Sequence, residues 1–334
     1  MAVRAAILLF SFCLPTLADL AAGQQALKNG DYAKALKEFM TLAAQGNAEA
    51  QMSLGVMYEN GRGVPQDYQE GLRWYRLAAT HGNLDAQLVL GIRYQFGKGV
   101  PQDYKEAAKW HHLAAEQGNA IAQFNLGLMY DNGQGVPQDY KEAVHWYRMA
   151  ADRGNAGAQS NLGVMYERGH AVIQDYKEAV RWYRLAADQG LAVAQGNLGC
   201  MYDKGQGVPQ ADTEAVRWFH MAADQGDADA QKNLGLMYYL GRGVLQDYKE
   251  AVQWFHMAAD QGNATAQEGI GFAYELGEGA PQDYIQAHMW FNLAGSGGSG
   301  IGIQGRDALA SKMTQEQIAE AQRLAREWQP KKTR

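Results

Sequence analysis

Shifting the chain by 36 residues lays it over itself, and no other feature constrains the fold as tightly. Leu-Gly recurs at Leu54-Gly55, Leu90-Gly91, Leu126-Gly127, Leu162-Gly163, Leu198-Gly199 and Leu234-Gly235, then as Ile270-Gly271. Tryptophan keeps the same step at Trp74, Trp110, Trp146, Trp182, Trp218, Trp254 and Trp290. No insertion interrupts these seven units. Every connection therefore has one length, and the chain must form a regular array in which each unit buries its apolar face on its neighbours.

Two helices are legible within the unit from Ala120 to Asn155. Ala122, Leu126, Met129 and Tyr130 form one apolar stripe of helical period. Ala143, Trp146, Tyr147, Ala150 and Ala151 fall at i, i+3, i+4, i+7 and i+8 of a second. Small residues at Gly127, Ala143, Ala150 and Ala151 admit close helix approach, with Trp146 and Tyr130 filling the remaining space. Between the helices, Gly133 and Gly135 suit a turn, Pro137 stops the first helix, and Asp139 with Glu142 reads as a capping box for the second. Asp67/Glu70, Asp103/Glu106, Asp175/Glu178 and Asp247/Glu250 repeat that pair. Paired carboxylates also suit acid–base chemistry or metal binding, but recurrence at each helix start assigns these to capping. Gly154 and its equivalents Gly82, Gly118, Gly190, Gly226 and Gly262 end the second helix.

The order Ala-x-x-x-Leu-Gly-x-x-Tyr-x-x-Gly-x-Gly-Val-Pro-x-Asp-x-x-x-Ala-x-x-Trp-Tyr-x-x-Ala-Ala-x-x-Gly, from Ala122 to Gly154, resembles the Sel1-like repeat, a relative of the tetratricopeptide repeat. The resemblance covers residues 48–298 and implies an all-α, right-handed α/α solenoid of helix-turn-helix units. Ala171 and Ile173, Ala211 and Leu245 depart from the turn pattern, and those turns are expected to be looser. Residues 19–47 read as an N-terminal half-repeat, with Asp31, Tyr32, Ala35 and Phe39 in register with the array. Residues 299–334 read as a C-terminal cap with helices over 306–313 and 315–328, Thr314 capping the latter with Gln317 three residues on. The glycine-rich join reads as a flexible joint. Gly300-Ile301-Gly302-Ile303-Gln304-Gly305 formally matches a dinucleotide fingerprint, but no preceding strand supports it.

Arg4, the apolar run 5–14, Pro15 and Thr16-Leu17-Ala18 form an export-signal pattern, with cleavage expected after Ala18 and the product in the periplasm or secreted. Cys13 lacks the small preceding residue a lipoprotein signal needs. No later stretch approaches the ~20 apolar residues of a membrane span, so no stable membrane insertion is expected. Removing residues 1–18 takes the formal charge from -6 to -7, which disfavours nucleic acid as a partner. It also leaves Cys200 alone, in a slot that other units fill with Val56, Ile92, Leu128, Val164, Leu236 and Phe272, as a small apolar side chain.

No chemistry stands out. His111 and His112 occupy the slots of Tyr147 and Arg148, no His-x-x-x-His pair exists, and the stretch from Asp131 to Gly135 lacks the distal glutamate of a calcium loop. No metal, cofactor or catalytic residue is implied, so function is expected on the surface the array presents. In the tetratricopeptide fold the first helices line the concave side, and by that resemblance their variable positions form the candidate groove. One column reads Met52, Leu88, Phe124, Ser160, Gly196, Lys232, Glu268. The next holds Asn125, Asn161, Asn197 and Asn233, asparagines that suit either the backbone of an extended peptide or carbonyls of adjacent helices. A third reads Glu59, Gln95, Asp131, Glu167, Asp203, Tyr239, Glu275, whose acidity favours positive charge in a partner or simply solvates helix ends. Phe96, Phe124, Tyr239, Leu240 and Leu276 are candidate apolar anchors.

The resemblance implies an exported, non-enzymatic scaffold for a protein or extended peptide. Cell-wall-fragment or β-lactam hydrolysis, associated with cysteine-rich relatives, is weakened by the single cysteine of the mature chain. Assembly of an exported polysaccharide is a further alternative that no residue specifies.

Overall fold

The structure is a computed structural model describing residues 17–330, so the export-signal segment lies outside it except for Leu17 and Ala18. Among the described residues there are eighteen helices and no strand. They group into two compact bodies, one ending at Arg153 and the other beginning at Gly154.

The first body holds α1 (Leu17–Lys28), α2 (Tyr32–Ala44), α3 (Ala48–Asn60), α4 (Tyr68–Thr80), α5 (Leu84–Phe96), α6 (Tyr104–Glu116), α7 (Ala120–Asn132) and α8 (Tyr140–Asp152). The second holds α9 (Ala156–Arg168), α10 (Tyr176–Asp188), α11 (Ala192–Lys204), α12 (Asp212–Ala223), α13 (Ala228–Leu240), α14 (Tyr248–Ala259), α15 (Ala264–Leu276), α16 (Tyr284–Ser296), α17 (Gly300–Ala310) and α18 (Gln315–Glu327). In each body a helix packs on its hairpin partner and then on the next hairpin, as an all-α solenoid requires.

The Leu-Gly signature has a steric cause. Leu126 is buried, and a Cβ added to Gly127 would lie 2.6 Å from the ring of Tyr147 on the facing helix. Gly163 meets Tyr183, Gly199 meets Phe219 and Gly271 meets Phe291, each at 2.7 Å. A flat ring on a bare backbone sets the spacing within each hairpin, and the following alanines, such as Ala150 and Ala151, close the next layer with little or no exposure.

A buried glutamine ladder, which the apolar periodicity did not disclose, ties the layers together. Gln87 Nε2 donates to Ala79 O at 3.1 Å, and Gln195 and Gln231 donate to Ala187 O and Ala223 O at 3.2 Å. Their side-chain oxygens accept from Gln117, Gln225 and Gln261 at 2.7 to 2.9 Å, so these buried amides are satisfied on both sides.

Three expectations are corrected. Asp139 caps α8 by accepting from Lys141 N at 2.8 Å and Glu142 N at 3.3 Å, but the pair is not a reciprocal box. The Asp139 N–H is already donated across the turn to Tyr130 O at 2.9 Å. The corresponding glutamates form exposed pairs, such as Glu70–Arg73 at 3.0 Å. Among the described residues, only Thr314 and Gln317, at the start of α18, make the two-way box.

The divergent turns are not looser. Gln174, Gln210 and Gln246 still reach back to Glu167 O, Asp203 O and Tyr239 O at 2.8 to 2.9 Å, and Ala171 adopts the left-handed conformation, φ 57°, that glycine holds elsewhere. Ala211 offers α12 no side-chain cap, and Asp212 stands in its first turn instead.

The glycine-rich join is not a flexible joint. Gly300 to Gly305 lie inside α17, which Ser299 caps. A Cβ on Gly302 would come 2.7 Å from Ala294 Cβ, and one on Gly305 would meet the Phe291 ring at 3.0 Å, so the glycines permit close packing of α17 on α16.

Candidate partner-binding face

The first helices present their variable columns differently in the two bodies. In the first body, Met52 and Val56 of α3 with Val89 and Ile92 of α5 line an apolar cavity of about 620 Å³, bounded by Tyr68, Tyr75, Glu59 and Arg93. All four aliphatic side chains are half-buried, so part of each remains open to a ligand. Arg93 pairs with Glu59 and lies over the Tyr75 ring, 5.3 Å from its centroid. Lys98 stands at the rim over the Phe96 ring.

The acidic column is not a free acidic field, because its residues are satisfied internally. Tyr75 donates to Glu59 and Tyr183 to Glu167, each at 2.5 Å, and Tyr147 donates to Asp131 at 3.0 Å. Where histidine replaces the tyrosine, His111 Nε2 bonds Gln95 Oε1 at 3.1 Å. Where phenylalanine replaces it, the acid turns elsewhere: Asp203 pairs with Arg242 at 2.7 Å and Glu275 with Lys312 at 3.3 Å. Burial, then the acceptor carboxylate, raises the Tyr75 and Tyr183 hydroxyls well above the ordinary tyrosine range. Burial alone lowers His111 to about 4. The sequence showed the acidic column but not its partner, although Tyr, His and Phe at the facing slot track the acceptor.

The asparagines behave otherwise. Among the described residues, the side chains of Asn125, Asn161 and Asn197 have no hydrogen-bond partner, so they are not spent on neighbouring carbonyls. Asn233 alone is engaged, donating to Cys200 Sγ at 3.6 Å. Asn197, Asn233 and Lys232 converge with Gly196, Cys200 and Asp227 around a depression of about 230 Å³ in the second body. Gly196 opens that depression by carrying no side chain, and burial pushes the Cys200 thiol up, as for an inert apolar residue.

The other candidates are dispersed. Phe124 packs on Tyr147 with ring centroids 6.1 Å apart, and Asn125 and Asp131 join neither cavity. Asn161 stands apart, and Tyr239 donates to Glu278 and lies edge-on to Tyr248. Of the expected anchors, Phe96, Leu240 and Leu276 are exposed. No cluster of three His, Cys, Asp or Glu side chains suited to a metal occurs among the described residues, and none of their helices is long and apolar enough to cross a membrane.

The Sel1 repeat pattern matches seven consecutive segments, 48–83, 84–119, 120–155, 156–191, 192–227, 228–263 and 264–299. The chain is a Sel1 repeat protein. A Sel1 repeat protein from Oxalobacter formigenes is 34% identical, with TM-score 0.69, over 87% of this chain and 88% of that one. A protective antigen of uropathogenic Escherichia coli strains displaying an SLR fold is 32% identical, with TM-score 0.68, over 92% of this Sel1 repeat chain and 75% of the antigen. No curated protein is significantly similar. Sel1 repeat proteins are generally protein-interaction scaffolds and typically non-catalytic.

Proposed function

We propose that this Sel1 repeat chain is an exported, non-catalytic scaffold that binds an extended protein segment along its first-helix face. The observation that carries the reading is the cavity at Met52, Val56, Val89 and Ile92, open on that face and suited to one apolar side chain. Burying such a side chain contributes about 1.5–3 kcal/mol. The unspent amides of Asn161 and Asn197 supply donors and acceptors for a peptide backbone in the second body. With Glu59 neutralised by Arg93 and Lys98 at the rim, the first-body cavity favours an acidic flank beside the apolar residue, opposite in sign to the expectation from the acidic column alone.

Export to the periplasm or beyond rests on the pattern of residues 1–18. Hydrolysis gains no support, because the Cys200 thiol faces the Asn233 amide and burial raises its pKa. The test compares capture of binding proteins from cell extract by the purified chain, by Ile92→Glu and by Asn197→Ala. Loss of one shared partner in both variants, with unchanged melting temperatures, supports the reading. Equal capture by all three removes the first-helix face from consideration.

A further inference from the structure

The last hairpin closes differently from those before it. On α17, Ala310 occupies the slot that Tyr202, Tyr238 and Tyr274 fill at steps of 36 residues, and on α16, His288 replaces Val180, Val216 and Val252. In the earlier hairpins the ring is part of the core: Tyr202 packs on the cluster of Val180, and Tyr238 on that of Val216. Their hydroxyls are also held from the preceding second helix, by Arg184 and by His220. Asn292 takes the place of those two residues on α16.

Loss of the ring leaves a cavity of about 410 Å³, lined by His288, Asn292, Gln322 and Arg326, by Arg306 and its neighbour Asp307, and by Ala310 and Ile318. Ile318 of α18 reaches it, but polar side chains make up most of its wall, where a purely structural closure would favour apolar filling. His288 is 2% exposed, and its Nδ1 is buried without a partner. The His288 ring lines the cavity, and no hydrogen bond of its own to the surrounding protein holds it among the described residues, which leaves it available to a ligand group. Arg306 is held by its neighbour Asp307 at 2.7 Å, which makes a neutral pair. Arg326, in the last turn of α18, holds no ion pair among the described residues.

We propose that this cavity binds a carboxylate, with Arg326 pairing with the anion and His288, Asn292 and Gln322 completing its hydrogen bonds. One uncompensated guanidinium matches the single negative charge of a carboxylate rather than the two of a phosphate dianion, and its planar fork can hold both carboxylate oxygens. Burial, then Arg306, lowers the pKa of His288, so its neutral ring brings one donor and one acceptor. The carboxylate belongs to a small molecule or to the end of a peptide chain, two sources with the same chemistry.

Calorimetric titration of the full chain tests this with succinate, acetyl-dialanine bearing a free carboxylate, acetyl-dialanine amide and inorganic phosphate. Nuclear magnetic resonance of the histidine rings provides the local readout. The expected result is binding of at least one carboxylate probe, on the order of millimolar or tighter, that moves the His288 signals and is absent for the amide. Preference for succinate assigns a small-molecule ligand, and preference for acetyl-dialanine a chain terminus. Arg326→Gln is expected to weaken binding by about tenfold or more without changing the melting temperature of the free chain. Ala310→Tyr, which restores the ring, is expected to abolish it. Failure of both carboxylates to bind, equal binding of the amide, stronger binding of phosphate, or full affinity in Arg326→Gln or Ala310→Tyr overturns the proposal.

Discussion

The Tyr147 hydroxyl donates to the Asp131 carboxylate at 3.0 Å, joining the second helix of a repeat to the end of its first. The pairing recurs as Tyr75 with Glu59 and Tyr183 with Glu167, and is absent where phenylalanine faces the acid. A double-mutant cycle of Tyr147→Phe and Asp131→Leu is expected to give a coupling of about 1–2 kcal/mol in chemical denaturation. Asp131→Leu alone costs more than Tyr147→Phe, because it strands a buried hydroxyl while the latter leaves a carboxylate that water can reach.

Gly127→Ala is expected to destabilise the chain by about 1–3 kcal/mol, measured by urea denaturation. The new methyl meets the Tyr147 ring at 2.6 Å, and that ring is fully buried, so it has little room to give. Tyr147→Ala is expected to cost less in the Gly127→Ala background than in the unaltered chain, since relief of the clash offsets part of the cavity it opens.

Acid is expected to destabilise the first body through His111. Burial holds its folded pKa at about 4, below the unfolded value near 6.5, so the unfolded chain binds the proton more tightly. The neutral ring's contribution is fully present above pH ~6.5 and is lost as pH falls from there toward 4. Denaturation at pH ~7.5 and ~5 should show a loss of about 2 kcal/mol that is missing in His111→Tyr, after subtraction of the carboxylate background common to both chains.

Ala171 carries φ 57° in a slot where Gly207, Gly243 and Gly279 stand at similar positive φ. A β-carbon costs roughly 1–2 kcal/mol in this region. Ala171→Gly should therefore raise stability by about 1 kcal/mol, net of the extra freedom glycine gains when unfolded, measured as a shift in denaturation midpoint.

The helices, their order and the all-α class were legible because one 36-residue period repeats every apolar contact, so each unit reports on the others. Polar pairings were not legible in the same way. Gln87 and Gln117 sit thirty residues apart and meet only when the hairpins stack, and the Asp131–Tyr147 bond depends on side-chain direction that periodicity does not encode. The same limit explains why the acidic column looked like an open field when its members were already paired. At the C-terminal end, glycines that signalled a joint proved to be contact points, because Gly302 serves the approach of two helices. The asparagines were legible as a column, but that Asn233 is engaged by Cys200 while Asn125, Asn161 and Asn197 are not held by neighbours emerged only in three dimensions.

Binding along the first-helix face is tested most directly by in-cell photocrosslinking from Met52 in the first body and Lys232 in the second, with exposed Lys109 on α6 as the control. Capture of one recurrent protein from Met52 and Lys232 but not from Lys109, identified by mass spectrometry, is the predicted result. Equal capture from all three positions, or capture from Lys109 alone, would contradict a first-helix binding face.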